Sequence, residues 1–185
     1  MKLLLHTCCG PCTIVPLRRL RAEGAEVLGV YANPNIHPFT EWDRRRAALE
    51  ELGRVEDLGL LPHPEYDPGE WLRAVAFREG ERCRVCLHLR LRHAALLARR
   101  GRFEAFTTTL LYSRRQKHDL IRELGEAVGR EAGVSFLYRD WRDGWGEGIE
   151  ASKALGLYRQ AYCGCLYSEV ERFAPARPRG REARP

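Results

Sequence analysis

LLLHTCCGPCTIVPL, residues 3–17, sets the fold. Residues 2–5 open on an apolar run, Leu3-Leu4-Leu5, of the kind that fills a strand buried on both faces. Thr13 to Glu23 then carries Ile14, Val15, Leu17 and Leu20 at helical spacing and is closed by Gly24. A strand that turns directly into a helix is the opening unit of an α/β protein. The turn between them holds three cysteines, Cys8, Cys9 and Cys12.

The alternation continues. Glu26 to Tyr31 (EVLGVY) reads as a second strand and NPNIHP, residues 33–38, as a loop. Phe39 to Leu52 reads as a helix with Arg44, Arg45 and Arg46 on its solvated side, and a short strand lies near Leu58 to Leu61. Pro68 opens a helix to about Phe77. Val85 to Arg100 is a longer helix with Leu89, Leu96 and Leu97 in its stripe, and Phe103 to Thr108 is a strand. Ser113 caps a helix to about Glu131, Val134 to Tyr138 is the last strand, and RDWRDGWGEG, residues 139–148, reads as a Gly- and Trp-rich loop. Ile149 to Leu155 is a short helix, and a last segment runs from Cys163 to Phe173. Strands alternating with helices predict a parallel sheet flanked by helices, Rossmann-like and HUP-like, in one α/β domain over 1–173 with a disordered basic tail at 174–185. In such sheets the site lies beyond the carboxyl ends of the strands, where the first cysteines fall.

Composition narrows the class. Of 185 residues, 44% are hydrophobic and 30% charged, as in globular proteins. No apolar stretch nears the roughly 18 residues of a membrane span. The N-terminus has neither a signal-like apolar region nor a small-residue cleavage site, which predicts a cytoplasmic protein without a membrane partner. Net charge is +6 and the pI about 9.1, which fits a polyanionic partner or a basic proteome rich in arginine.

The seven cysteines, Cys8, Cys9, Cys12, Cys83, Cys86, Cys163 and Cys165, fall in three tight groups. An odd number in such a chain argues against a disulfide framework and for metal or redox chemistry. Cys83 and Cys86, at i and i+3 of a helix start, project from one turn, where the helix end favours the thiolate that metals bind. The adjacent pair Cys8-Cys9 suits the separate corners of a 4Fe-4S cluster better than a structural zinc, whose paired ligands are spaced by two to four residues. Cys9-Gly10-Pro11-Cys12 by itself is also a thioredoxin-like dithiol motif, but that chemistry leaves the other groups unexplained. Cys163-Gly164-Cys165 can close a small, strained and easily reduced disulfide or supply two more metal ligands.

LLLHTCCGPC, NPNIHP, RCRVCLHLRL, FTTTLLYS, FLYRDWR and LYRQAYCGC together resemble the cobalamin-independent epoxyqueuosine reductases, the QueH family, from residue 2 to about 168. The stretch before Pro68 matches more loosely. The resemblance implies reduction of epoxyqueuosine to queuosine in the tRNA anticodon loop, a 4Fe-4S cluster on Cys8, Cys9, Cys83 and Cys86, and a redox-active pair, Cys163 and Cys165. It also implies a mononuclear iron beside the cluster, for which Cys12 and Asp140 are the candidate ligands. The partners implied are tRNA carrying epoxyqueuosine and an electron donor that the sequence does not identify. Asp140, Tyr138, Asp143 and His6 are candidate proton donors to the epoxide oxygen. Trp141 and Trp145 are candidates to stack on an unstacked base or to cap the core. The rival reading is a zinc-stapled RNA-binding module.

Overall fold

The computed structural model describes residues 1–175; the expected tail lies, from residue 176 onward, outside the described residues. Five parallel strands form one sheet in the order β3-β2-β1-β4-β5: β1 (Lys2–Thr7), β2 (Glu26–Tyr31), β3 (Leu60–Leu61), β4 (Ala105–Thr108) and β5 (Ser135–Phe136). Central β1 places Leu4 between Leu28 and Phe106, and Leu3, Leu4 and Leu5 are fully buried. Each such leucine stabilises the fold by about 1.5–3 kcal/mol relative to exposure.

Seven α-helices lie among the described residues: α1 (Gly10–Ala22), α2 (Phe39–Val55), α3 (Gly69–Val75), α4 (Arg82–Arg100), α5 (His118–Ala132), α6 (Trp145–Ala154) and α7 (Leu166–Phe173). Helix α1 packs against α2 and α6, while α4 packs against α3 and α5. Right-handed crossovers put these two sets on opposite faces. The chain runs from β1 outward to β3, then returns to the other side of β1 as β4. A crevice therefore opens beyond the carboxyl ends of β1 and β4.

Local departures from the sequence expectations have identifiable causes. Helix α1 begins at Gly10 rather than Thr13, because Pro11 suits the first turn and Cys9 is its extended N-cap. Cys12 is thus helical. Ser113 does not cap α5: its hydroxyl accepts from the Arg115 N–H and makes a local turn, so α5 starts at His118. The glycine-rich stretch is not a loop but a 3-10 turn, Arg142–Gly144, running into α6. Its glycines serve close packing: a Cβ on Gly144 would meet Val15 at 2.6 Å, and one on Gly148 would run into the Tyr112 hydroxyl. The buried stripe of α4 is Leu87, Leu91, Ala94, Ala95 and Ala98, with Leu89, Leu96 and Leu97 only partly covered. Arg45 is not solvated: it is buried against Glu41.

Candidate metal and redox site

The crevice holds a cavity of about 450 Å³. Cys8, Pro11 and Cys12 form its wall after β1, and Leu110 and Tyr112 its wall after β4. Gln160 and Cys163 close it from the segment before α7, and Arg115, Arg159 and Arg172 give it a cationic rim.

The Sγ atoms of Cys8, Cys9 and Cys12 all lie within 4.8 Å of one another, a group of thiols able to hold a metal ion. The turn is fixed from several sides. The Cys8 N–H donates to Thr109 Oγ1 (3.0 Å), Thr13 Oγ1 donates to the Cys9 carbonyl (2.8 Å), and Gln160 Nε2 donates to Cys9 Sγ (3.0 Å) and Cys12 Sγ (3.5 Å). Gly10 lets α1 approach α2, since a Cβ there would lie 2.5 Å from the Ala48 carbonyl oxygen. The three thiols share their ionisation unequally. Hydrogen bonds from Cys12 and Cys9, aided by the Arg90 charge, hold Cys8 well below the usual thiol range. Burial pushes Cys9 up, and hydrogen bonding to Cys8 and Cys9 pushes Cys12 up. Cys9 is fully buried and hard to ionise, the reverse of the partly exposed, low-pKa thiol that attacks in a dithiol oxidoreductase.

Cys83 and Cys86 lie one turn apart at the start of α4. Burial pushes Cys86 up to about 12, and its Sγ lies 3.8 Å from Arg90 Nη1. Cys86 and Cys165 pack in one small cluster with Trp71 and Val75. Cys83 is half-buried, and its neighbour in sequence, Arg82, pairs with Glu171 of α7. Cys163 is exposed in the cavity wall, with Gln116 Nε2 donating to its sulfur at 3.4 Å. Cys165 caps α7, its sulfur accepting from the Ser168 N–H at 3.4 Å. All seven cysteines are free thiols.

Arg45 is a site residue that the charge run in the sequence concealed. Its Nε donates to Glu41, Nη1 donates to the Cys163 carbonyl (2.9 Å) and Nη2 to the Tyr162 carbonyl (3.0 Å). The Tyr158 hydroxyl donates to the other Glu41 oxygen at 2.5 Å. Together they fasten the segment 158–163 to α2.

None of the four expected proton donors lines the cavity. The His6 imidazole bonds Thr108 and the Ala32 carbonyl, and burial lowers its pKa to about 3. Asp140 is exposed and is bound by Arg142, whose hydrogen bonds lower its carboxyl to about 2. Asp143 pairs with Arg19, and Tyr138 faces Arg122. Trp141 is buried in the core, whereas Trp145 stacks on Tyr112 at 5.2 Å and lines the cavity.

Thiol donors of this number suit a soft metal or an iron–sulfur centre. Arg90 Nε, Trp71 Nε1 and Gln160 Oε1, on side chains that border the cysteines, are buried without a hydrogen-bond partner among the described residues, which fits a further group bound there. No helix among these residues is long and apolar enough to cross a membrane.

A crystal structure described as a predicted subunit of tRNA methyltransferase from Methanocaldococcus jannaschii superposes with a TM-score of 0.55 over 83% of this chain and 76% of that one, at 9% identity. That likeness concerns the fold alone. Epoxyqueuosine reductase QueH of Dehalococcoides mccartyi is 39% identical over 93% of this chain and 94% of the relative. The Thermotoga maritima protein of the same name is 36% identical over 91% of each chain. A family model described as epoxyqueuosine reductase QueH matches residues 3–171. With nearly its whole length aligned, this chain belongs to the epoxyqueuosine reductase QueH family.

Proposed function

We propose that this protein reduces epoxyqueuosine in tRNA to queuosine. The observation that carries the reading is the family match across residues 3–171, with all three cysteine groups inside it. Removing the epoxide oxygen to leave an alkene takes two electrons and two protons, and the oxygen departs as water. In this reading Cys8, Cys9, Cys83 and Cys86 would hold a 4Fe-4S cluster, and Cys12 would be a ligand of an adjacent iron, which Asp140 could join only by leaving its pair with Arg142 outside the cavity. The bound metals supply single-electron transfer and Lewis acidity toward the epoxide oxygen.

The protein's own groups do the rest. Cys163 and Cys165 as dithiol supply two electrons and two protons, and become a disulfide that an external electron donor must reduce. Cys163 in the cavity wall is the exposed member of the pair and Cys165 the buried one. Arg45, held by Glu41, positions that pair by donating to the carbonyls of Tyr162 and Cys163. Arg115, Arg159 and Arg172 meet the phosphates of the anticodon loop at the rim, and Trp145 offers a face to the base.

The test is turnover. Anaerobic protein, a chemical reductant and tRNA carrying epoxyqueuosine are incubated, and the nucleosides are resolved by mass spectrometry. The expected product is queuosine, lighter by one oxygen. Unchanged epoxyqueuosine with metal-replete protein would overturn the assignment. A colourless protein carrying zinc would instead favour the stapled RNA-binding module.

A further inference from the structure

Two arginines are buried to 2% exposure, Arg45 and Arg90. Arg45 has a carboxylate partner in Glu41. Arg90 has none among the described residues. Its Nη2 donates to Asn33 Oδ1 at 2.6 Å, its Nη1 approaches Cys86 Sγ at 3.8 Å, and its Nε is unpartnered. The Asn33 side chain is neutral and is itself fixed by donating to the Thr7 carbonyl at 2.9 Å. A buried guanidinium without a counter-ion is strongly disfavoured. The groups placed to balance it are sulfurs, one from each cysteine group: Cys86 at 3.8 Å, and Cys8 and Cys163, which line the same cavity as Arg90; a bound metal would hold such sulfurs as thiolates. Several thiolates gathered on a metal or a cluster carry a net negative charge, and that charge grows when the centre takes up an electron.

We propose that Arg90 is the counter-ion of a net-anionic metal–thiolate centre, and that its charge sets how readily this centre accepts an electron. The inference rests on the reading of the cysteines as metal ligands and adds a positioning residue to it. Arg90 reaches the site from the third turn of α4, four residues after Cys86, so the helix that presents a ligand also presents its counter-charge. Through Asn33 it is anchored to the loop after β2, which fixes the cation independently of the cysteines. Hydrogen bonds and charge beside the sulfurs are levers on the potential of such centres.

The test compares wild type, Arg90→Gln and Arg90→Lys, all purified anaerobically. Two quantities are read: the rate of metal loss to excess EDTA, and the midpoint potential of the metal-loaded protein by EPR-monitored titration. Arg90→Gln should lose metal at least tenfold faster. Its midpoint should fall by at least the equivalent of a tenfold change in a one-electron equilibrium, about 59 mV. Arg90→Lys, which keeps the charge, should stay near wild type in both. An Arg90→Gln preparation that never loads metal beside a normally loaded Arg90→Lys also supports the proposal. It is overturned if Arg90→Gln matches wild type, or if Arg90→Lys fails as badly as Arg90→Gln, since shape rather than charge would then matter. If the wild type carries zinc and no iron, the cluster reading fails, yet the EDTA comparison still decides the role of Arg90.

Discussion

Arg45→Met removes one member of the buried pair that holds the segment before the Cys163–Cys165 pair. The Arg45 and Glu41 side chains are 2% and 7% exposed, so the charges are almost out of water. Deleting one partner strands the other, a loss of about 3–5 kcal/mol. At roughly 2–4 °C per kcal/mol for a chain of this size, the melting temperature should drop by about 6–20 °C. Two hydrogen bonds to the carbonyls of residues 162 and 163 go as well. Thermal unfolding by circular dichroism reads the stability, and the rate of Cys163 alkylation reads the loosening of the segment. Alkylation should accelerate well below the melting temperature. The double variant Glu41→Leu/Arg45→Met should recover part of the lost stability, because no charge is left stranded, but not the slow alkylation. A drop of under 2 °C for Arg45→Met, with unchanged alkylation, would refute the reasoning.

Gly10→Ala should destabilise by about 1–3 kcal/mol and lower the metal content, because its Cβ would lie 2.5 Å from a backbone oxygen that cannot yield. Gly146→Ala, with nothing within 4 Å of the added atom, is the control and should be neutral in the same melting and metal assays. Burial lowers the His93 pKa from its ordinary 6.5, so the unfolded chain binds a proton more readily than the folded one. That contribution to stability is complete above pH 6.5 and erodes as pH falls below it; His93→Gln should show a shallower loss of stability on acidification, read by melting against pH. Asp140→Asn breaks an exposed pair with Arg142 and should cost under about 1 kcal/mol. A fall in turnover of more than a hundredfold in that folded variant would place Asp140 among the reacting groups.

What the sequence made legible was local. The apolar run at residues 3–5, the Gly-Pro turn and the paired spacing of Cys83 and Cys86 each carry their structure within a few residues. The β1–α1 turn therefore lies inside the expected stretch, although β1 runs on to Thr7 and α1 starts three residues early, which leaves only Cys8 and Cys9 in the turn. What stayed hidden depends on distant partners. Arg45 reads as one cation in a run of three, because the carbonyls that bury it lie more than a hundred positions away. Gly144 and Gly148 look like loop residues, since the pattern does not reveal that Val15 and Tyr112 press on them. Arg90 was within reach: it stands four residues after Cys86, on the face that Leu87, Leu91 and Ala94 bury, where a charged residue needs a reason.

The central claim is that the first two cysteine groups hold a cluster and the third does the two-electron chemistry. It is tested most directly by measuring iron and sulfide per chain together with queuosine formed, in Cys83→Ala and Cys163→Ser purified side by side without oxygen. The account predicts that Cys83→Ala loses iron and colour, while Cys163→Ser keeps both and forms no queuosine. Full iron in Cys83→Ala, or iron lost in step with activity in Cys163→Ser, would contradict it.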